Sequence, residues 1–282
     1  MKRYSDWLDE RKKRERVEEV DEICKKFRIA DYKLREDGLV DVYGDVNLSY
    51  NDLVKLPLKF GRVVGNFSCS NNRLKSLEGA PEEVAWSFNC AHNLLESLEG
   101  GPLKVGASYN CSYNHLRSLK GCPEKLRGSF SCDTNELDSL EGGPKDVESF
   151  SCCDNKLTSL KGGPHKVAER YVCRNNKLST VEGVPVVVEV FDCSINKLTS
   201  LEGIPECKEQ FICYGNEFVS LVGFPETGNI DHIDASHLGA GESEAFVKLG
   251  PDLFLEWMKT EIPLDVFFHK HRGTIIGKKF GL

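Results

Sequence analysis

Apolar and polar residues repeat along most of this chain in one block that returns every 20 or 21 residues. The stretch FSCSNNRLKSLEGAP from Phe67 comes back as FNCAHNLLESLEGGP from Phe88, YNCSYNHLRSLKGCP from Tyr109 and FSCDTNELDSLEGGP from Phe130. It returns again as FSCCDNKLTSLKGGP from Phe150, YVCRNNKLSTVEGVP from Tyr171, FDCSINKLTSLEGIP from Phe191 and FICYGNEFVSLVGFP from Phe211. Counted from the cysteines (Cys69, Cys90, Cys111, Cys132, Cys152, Cys173, Cys193 and Cys213), Asn stands three residues on and apolar residues at five and eight. Gly follows at ten and Pro at twelve. An imperfect copy precedes the eight, with Leu48 in the cysteine position, and a fragment from Ile233 through Ser236 to Leu238 follows them. A fixed period of this size is the mark of a solenoid.

Each position has a physical reading. Phe-x-Cys places two apolar side chains on one face of a short strand. One such strand cannot bury that face alone, but identical strands stacked in parallel about 4.8 Å apart make a continuous core. The aromatic residues, the cysteines and Leu74, Leu95, Leu116, Leu137, Leu157, Leu178 and Leu198 then form three ladders. The repeated Asn turns inward where the strand ends, so that its amide satisfies backbone groups that would otherwise be buried unpaired. Gly-x-Pro predicts an extended, polyproline-like return path, since Pro fixes φ and disfavours helix before it. The expected fold is a repeat solenoid with a single-layer parallel β-sheet, thin because about 20 residues per coil leave no room for a helix on the back.

The order apolar-x-apolar-x-x-Asn-x-Leu-x-x-Leu, over residues 37–240, resembles the leucine-rich repeat in its shortest form. It is similar to bacterial effectors with repeats of this length and, more closely, to repeat proteins encoded by large tailed bacteriophages. That resemblance implies a protein-binding scaffold without naming its partner. Some of those effectors carry a ubiquitin-ligase domain after the repeats; about forty residues follow here, too few for one.

Three regions are expected: an N-terminal helical cap (1–41), the solenoid of nine repeats and a partial tenth (42–240), and a C-terminal helical cap and tail (241–282). Residues 1 to about 36 read as helix, because Trp7, Leu8, Val17, Val20, Ile23, Cys24 and Phe27 recur at three- and four-residue spacing. The basic run from Arg11 to Arg16 lies among Asp6, Asp9, Glu10, Glu18 and Glu19, the pattern of a solvated helix face. Beyond it Glu244–Leu249, Pro251–Lys259 and Pro263–Lys270 read as short helices, and residues 274–282 as tail. Phe267, Phe268, His269, Lys270, His271, Arg272, Lys278 and Lys279 make that end aromatic and basic, suited to a cap or a docking segment.

The net charge of −7 argues against general nucleic-acid binding. No apolar run is long enough to cross a membrane, and no apolar core follows the first positive charges as in a signal peptide. The expected setting is therefore the cytoplasm, and the host cytoplasm for a phage protein. There the twelve cysteines are reduced: eight are small core residues, Cys153 faces out beside Cys152, and Cys24, Cys122 and Cys207 receive no role. No pattern of metal-binding cysteines occurs, and the scattered His232, His237, His269 and His271 do not make a metal site. No phosphate loop, nucleophile elbow or zinc-protease string appears, and Asp133 and Asp154, one coil apart on the open face, lack a water-excluding pocket. No enzyme, cofactor, metal or small-molecule substrate is expected.

What remains is the outward face of the strands. Its first six coils are small and polar, rich in Ser and Asn. The last three bring Arg170, Val172, Arg174, Val190, Asp192, Ile195, Gln210, Ile212 and Tyr214 together, an Arg, Tyr and aliphatic mixture typical of binding hot spots. This third is the expected partner-binding surface for a protein, in the phage case a host or defence protein that it blocks. A structural or virion-associated role is the alternative, and nucleic-acid binding through the basic termini is a third.

Overall fold

The computed structural model describes residues 4–218, 229–231 and 270. Ten parallel strands form one ladder, from Val46–Asn47 through Phe67–Ser68, Phe88–Asn89, Tyr109–Asn110, Phe130–Ser131, Phe150–Ser151, Arg170–Val172, Val187–Asp192 and Glu206–Ile212 to Asn229–Asp231. The register is the one the repeat requires: Phe67 pairs with Phe88, Phe88 with Tyr109, and so on to Phe191 with Phe211. The chain is a leucine-rich-repeat-like parallel solenoid. Its tenth strand sets Ile230 opposite Phe211, ahead of the fragment read from Ile233, which lies outside the described residues. The C-terminal helices and tail expected after residue 241 lie outside them too, apart from helical Lys270.

Apolar columns fill the interior. Phe67, Tyr109, Phe130 and Phe211 are 0 % exposed, as are all eight repeat cysteines. Ring centroids in the aromatic column follow one another at 5.6 Å (Phe67–Phe88), 4.9 Å (Phe88–Tyr109) and 5.8 Å (Phe130–Phe150). Burying each such ring is worth roughly 1.5–3 kcal/mol, with a further contribution from ring–ring contact. Coils with Tyr in this column have Gly earlier, at Gly101 and Gly163, where a Cβ would come within 3.1 and 3.0 Å of the Tyr109 and Tyr171 hydroxyls.

The Asn column fastens one coil to the next. Asn114 Nδ2 donates to the carbonyls of Cys90 and Cys111 at 3.1 Å and of Ser112 at 3.2 Å, while Asn114 Oδ1 accepts the Leu95 amide at 3.0 Å. Every coil from Asn93 to Asn196 repeats this pattern. The residue before each Asn is left-handed in order to aim it inward, from Tyr50 (φ 58°) to Ile195 (φ 53°) and Gly215 (φ 67°). Asn71, Asn175 and Gly215 suit that conformation, whereas β-branched Thr134 and Ile195 are strained in it. Thr134→Asn is therefore expected to raise stability by about 1 kcal/mol, read as a higher urea midpoint at unchanged slope; an unchanged or lower midpoint would contradict the strain.

The return segments run extended, as expected, and they also pair with one another. The hairpin β1 (Tyr32–Leu34) and β2 (Val40–Val42) leads into Phe60–Val63, Glu83–Val84 and Lys104–Val105 as a second, five-stranded ladder. Asp146–Val147 pairs with Lys166–Val167 further along, joined through a Lys125–Asp146 bridge. Val63, Val84, Val105, Val147, Val167 and Val188 point inward there, and Cys207 completes their column. At the turn before it Gly121 has φ 96°, and a Cβ would come within 2.7 Å of the Leu98 carbonyl, so only glycine fits.

At the N-terminus the helix α1 (Tyr4–Lys26) is shorter than the sequence suggested. Arg28 turns left-handed at φ 55°, and residues 32–42 form the hairpin instead of continuing the helix. The Asp37-Gly38 turn and the alternating Val40 and Val42 favour strand there: Asp37 Oδ1 accepts the Leu39 amide at 3.0 Å and Gly38 has φ 86°. Among the described side chains, the last turns of α1 make its apolar contacts with the core, and Arg16 Nη2 donates to the Gly38 carbonyl at 3.1 Å. Val20 and Cys24 are buried, Ile23 and Phe27 pack against the core, and Val17 is 40 % exposed. The Trp7 and Leu8 side chains lie outside the described residues.

Candidate functional site

Over coils 1–6 the outward face satisfies itself. The Ser49 hydroxyl lies 2.7 Å from that of Ser68 and 3.0 Å from that of Ser70. Asp133 accepts from the hydroxyls of Ser131 and Ser151 and from the Cys153 amide at 2.8 Å. Asp154 turns instead to Asn175, so the two carboxylates engage separate partners. Cys153 is half-buried; burial, and next the Asp133 charge, push its thiol up to about 11, far from a reactive thiolate. Sequence reasoning passed over one feature here. His92 and Tyr113 stack at 4.1 Å between centroids, and Tyr113 is 50 % exposed. Both occupy the left-handed turn position, which a reader could have found by asking which coils place an aromatic residue there.

The C-terminal third differs. Arg174 and Tyr214 stand two coils apart and meet, with the guanidinium 5.7 Å from the ring centroid. Such a contact holds both long side chains in place. Beneath them Ser194 is fully buried, its hydroxyl donating to Asp192 Oδ1 at 2.5 Å. Val172, Ile195, Gln210 and Ile212 are half-buried, and Arg170 is exposed at the upper edge. Val190 does not belong with them. It is only 6 % exposed, a short side chain paired in register between Arg170 and Gln210, whose longer side chains flank it.

Two charged rims border this third. Four residues before each cysteine stand Glu148, Glu169, Glu189 and Glu209; four residues after stand Lys156, Lys177, Lys197 and, in the last coil, Glu217. Backbone bonds stack each row coil on coil: the Glu169 amide donates to the Glu148 carbonyl at 2.8 Å, and the Glu189 amide to the Glu169 carbonyl at 3.0 Å. In coils 1–5 the same positions behave otherwise. The first column is Gly44, Gly65, Trp86, Ala107 and Gly128; in the second, Arg73 pairs with Asp52 at 2.8 Å, Leu94 is uncharged and His115 Nδ1 lies 3.5 Å from Glu136. Lys156 reaches Glu136 at 3.2 Å, but among the described residues Lys177 and Lys197 have no ion-pair partner. Like charges on neighbouring strands are unfavourable, so this arrangement has a cost within the monomer.

The second ladder borders a groove of about 1140 Å³ lined by Arg62, Glu83, Lys104, Lys125, Asp146 and Lys166. Opposite charges face one another across it in register, with Arg62 on Glu83 at 3.3 Å, so it neutralises itself. Among the described residues no cluster of His, Cys, Asp or Glu could hold a metal ion, and no helix is long and apolar enough to cross a membrane. His232, His237, His269 and His271 lie outside those residues.

One solved structure is similar. YopM from Yersinia enterocolitica WA-314 matches over 67 % of this chain at 16 % identity, with a TM-score of 0.32. The match spans 64 % of YopM, less than two thirds of its length. No family model and no curated protein matches the chain.

Proposed function

We propose that the chain is a non-enzymatic protein-binding scaffold that makes contact through the C-terminal third of its ten-stranded ladder. The observation that carries this reading is the Arg174–Tyr214 pair, pre-arranged at 5.7 Å beside the half-buried aliphatic residues Val172, Ile195 and Ile212. Arg and Tyr anchors held in place before binding lose little entropy on association, which is the property of hot-spot residues. Asp192 helps indirectly, by tying down Ser194 under the pair. Encoded by a phage, such a scaffold would act in the host cytoplasm by binding and blocking a host or defence protein.

Affinity capture with the full chain, followed by mass spectrometry, tests the reading. A stoichiometric host protein supports it, while capture of virion proteins alone favours the structural role. With Arg174→Ala/Tyr214→Ala the captured protein is expected to bind more than about tenfold more weakly. Capture unchanged by the double substitution overturns the assignment of the surface.

A further inference from the structure

We propose that the C-terminal third of the outward face binds a second copy of this chain, the two related by a twofold axis parallel to the stacking direction. This rests on the contact reading above and supplies its partner. The face is polarised across the strands: Glu169 and Glu189 belong to one rim, Lys177 and Lys197 to the other, on the same two coils. A half-turn about the stacking direction lays one face on another with the strand direction reversed. Each acidic rim then meets the partner's basic rim, and the half-buried Val172 and Ile212 come opposite the partner's Arg174 and the partner's Tyr214. A half-turn about the perpendicular in-plane axis would set acid on acid, so charge selects one orientation.

Coils 1–5 cannot associate this way, because Gly44, Gly65, Trp86, Ala107 and Gly128 give them no acidic rim. Over coils 6–8 the like-charged rows are compensated when a partner brings the opposite row. The complementary face is three coils tall at about 4.8 Å each and about 20 Å across, smaller than a standard interface. The expected dimer is therefore weak, with a Kd of roughly 10–100 µM at low salt.

Sedimentation equilibrium of the full chain between about 5 and 200 µM tests this at about 50 and 500 mM salt. Reversible dimerisation that weakens more than about tenfold at the higher salt is expected. Lys177→Glu/Lys197→Glu leaves both rims acidic and should give monomer; Glu169→Lys/Glu189→Lys leaves both basic and should do the same. Mixed in equal amounts, these two variants should form a heterodimer. A chain carrying all four substitutions exchanges its rims and should dimerise like the parent, which separates loss of contact from loss of folding. A parent that stays monomeric at low salt, rim variants that dimerise unchanged, or a mixture that fails to associate overturns the proposal. If the chain stays monomeric while Arg174→Ala/Tyr214→Ala abolishes capture of another protein, self-association falls and the contact surface stands.

Discussion

Raised from pH 8 to pH 10 under reducing conditions, the chain is expected to lose most of its stability. Burial pushes the Cys69 and Cys213 thiols up to about 12 and the other six repeat cysteines well above their ordinary value. The unfolded chain ionises those thiols near pH 8.5. Above that pH the folded state holds protons that the unfolded state releases, so stability falls as pH rises, and it is fully present below. Each thiol then removes about 1.4 kcal/mol per pH unit, and eight remove roughly 11. A stability of ordinary size, about 5–15 kcal/mol, is exhausted within about one to two pH units of the thiol value. Urea midpoints measured from pH 7 to pH 10.5 check this. Because burial also raises the Cys24, Cys122, Cys153 and Cys207 thiols, Cys132→Ala/Cys152→Ala should flatten the slope by about a sixth, two of twelve thiols being gone. A midpoint that does not move up to pH 10 would show that the columns are open to solvent.

The second large effect concerns the Asn column. Asn135 Nδ2 donates to the carbonyls of Cys111, Cys132 and Asp133 at 3.2, 3.1 and 3.2 Å, and its Oδ1 accepts the Leu116 amide at 3.0 Å. Asn135→Asp keeps the shape, removes three donations and sets a carboxylate against three carbonyl oxygens. A loss of about 3–5 kcal/mol is expected at pH 7. The buried carboxyl would have a raised folded pKa, so the loss should be smallest below pH 4 and grow as pH rises past the unfolded value near 3.9. Asn51→Asp is the control. That side chain is exposed and its Nδ2 donates to the Ser49 carbonyl at 2.7 Å, so the same change should cost about 1 kcal/mol or less. Equal losses at the two positions would refute the coil-to-coil role of the column.

The rims and the Arg174–Tyr214 contact show how much of the site was legible. Arg174, Tyr214, Ile195 and Ile212 could be assigned to one face by counting from each cysteine, because a strand alternates sides with period two. That counting also places the rims, since position relative to the cysteine decides which corner a residue occupies. Burial within the face was not legible. Val190 and Arg170 occupy equivalent positions, yet one is covered and the other exposed, because burial depends on the lengths of the side chains in the coils above and below. The second ladder stayed hidden for a related reason. Its strands are often two residues long with one inward valine, too short to show a period of two. Residues 32 to about 36 read as helix for want of the same information: the fit of their hairpin depends on pairing of Val40–Val42 with residues 60–63.

By itself, the sequence of this protein determined the strand register, the thiol and aromatic columns and the inward Asn. Each is a local spacing copied many times, and copies that fall out of step would bury charge. Tertiary structure alone decided where α1 stops, that the return segments pair, that Val190 is covered and that Arg174 lies over Tyr214. Those outcomes depend on which side chains adjacent coils bring within reach across about 5 Å, a distance between coils that no spacing along the chain encodes.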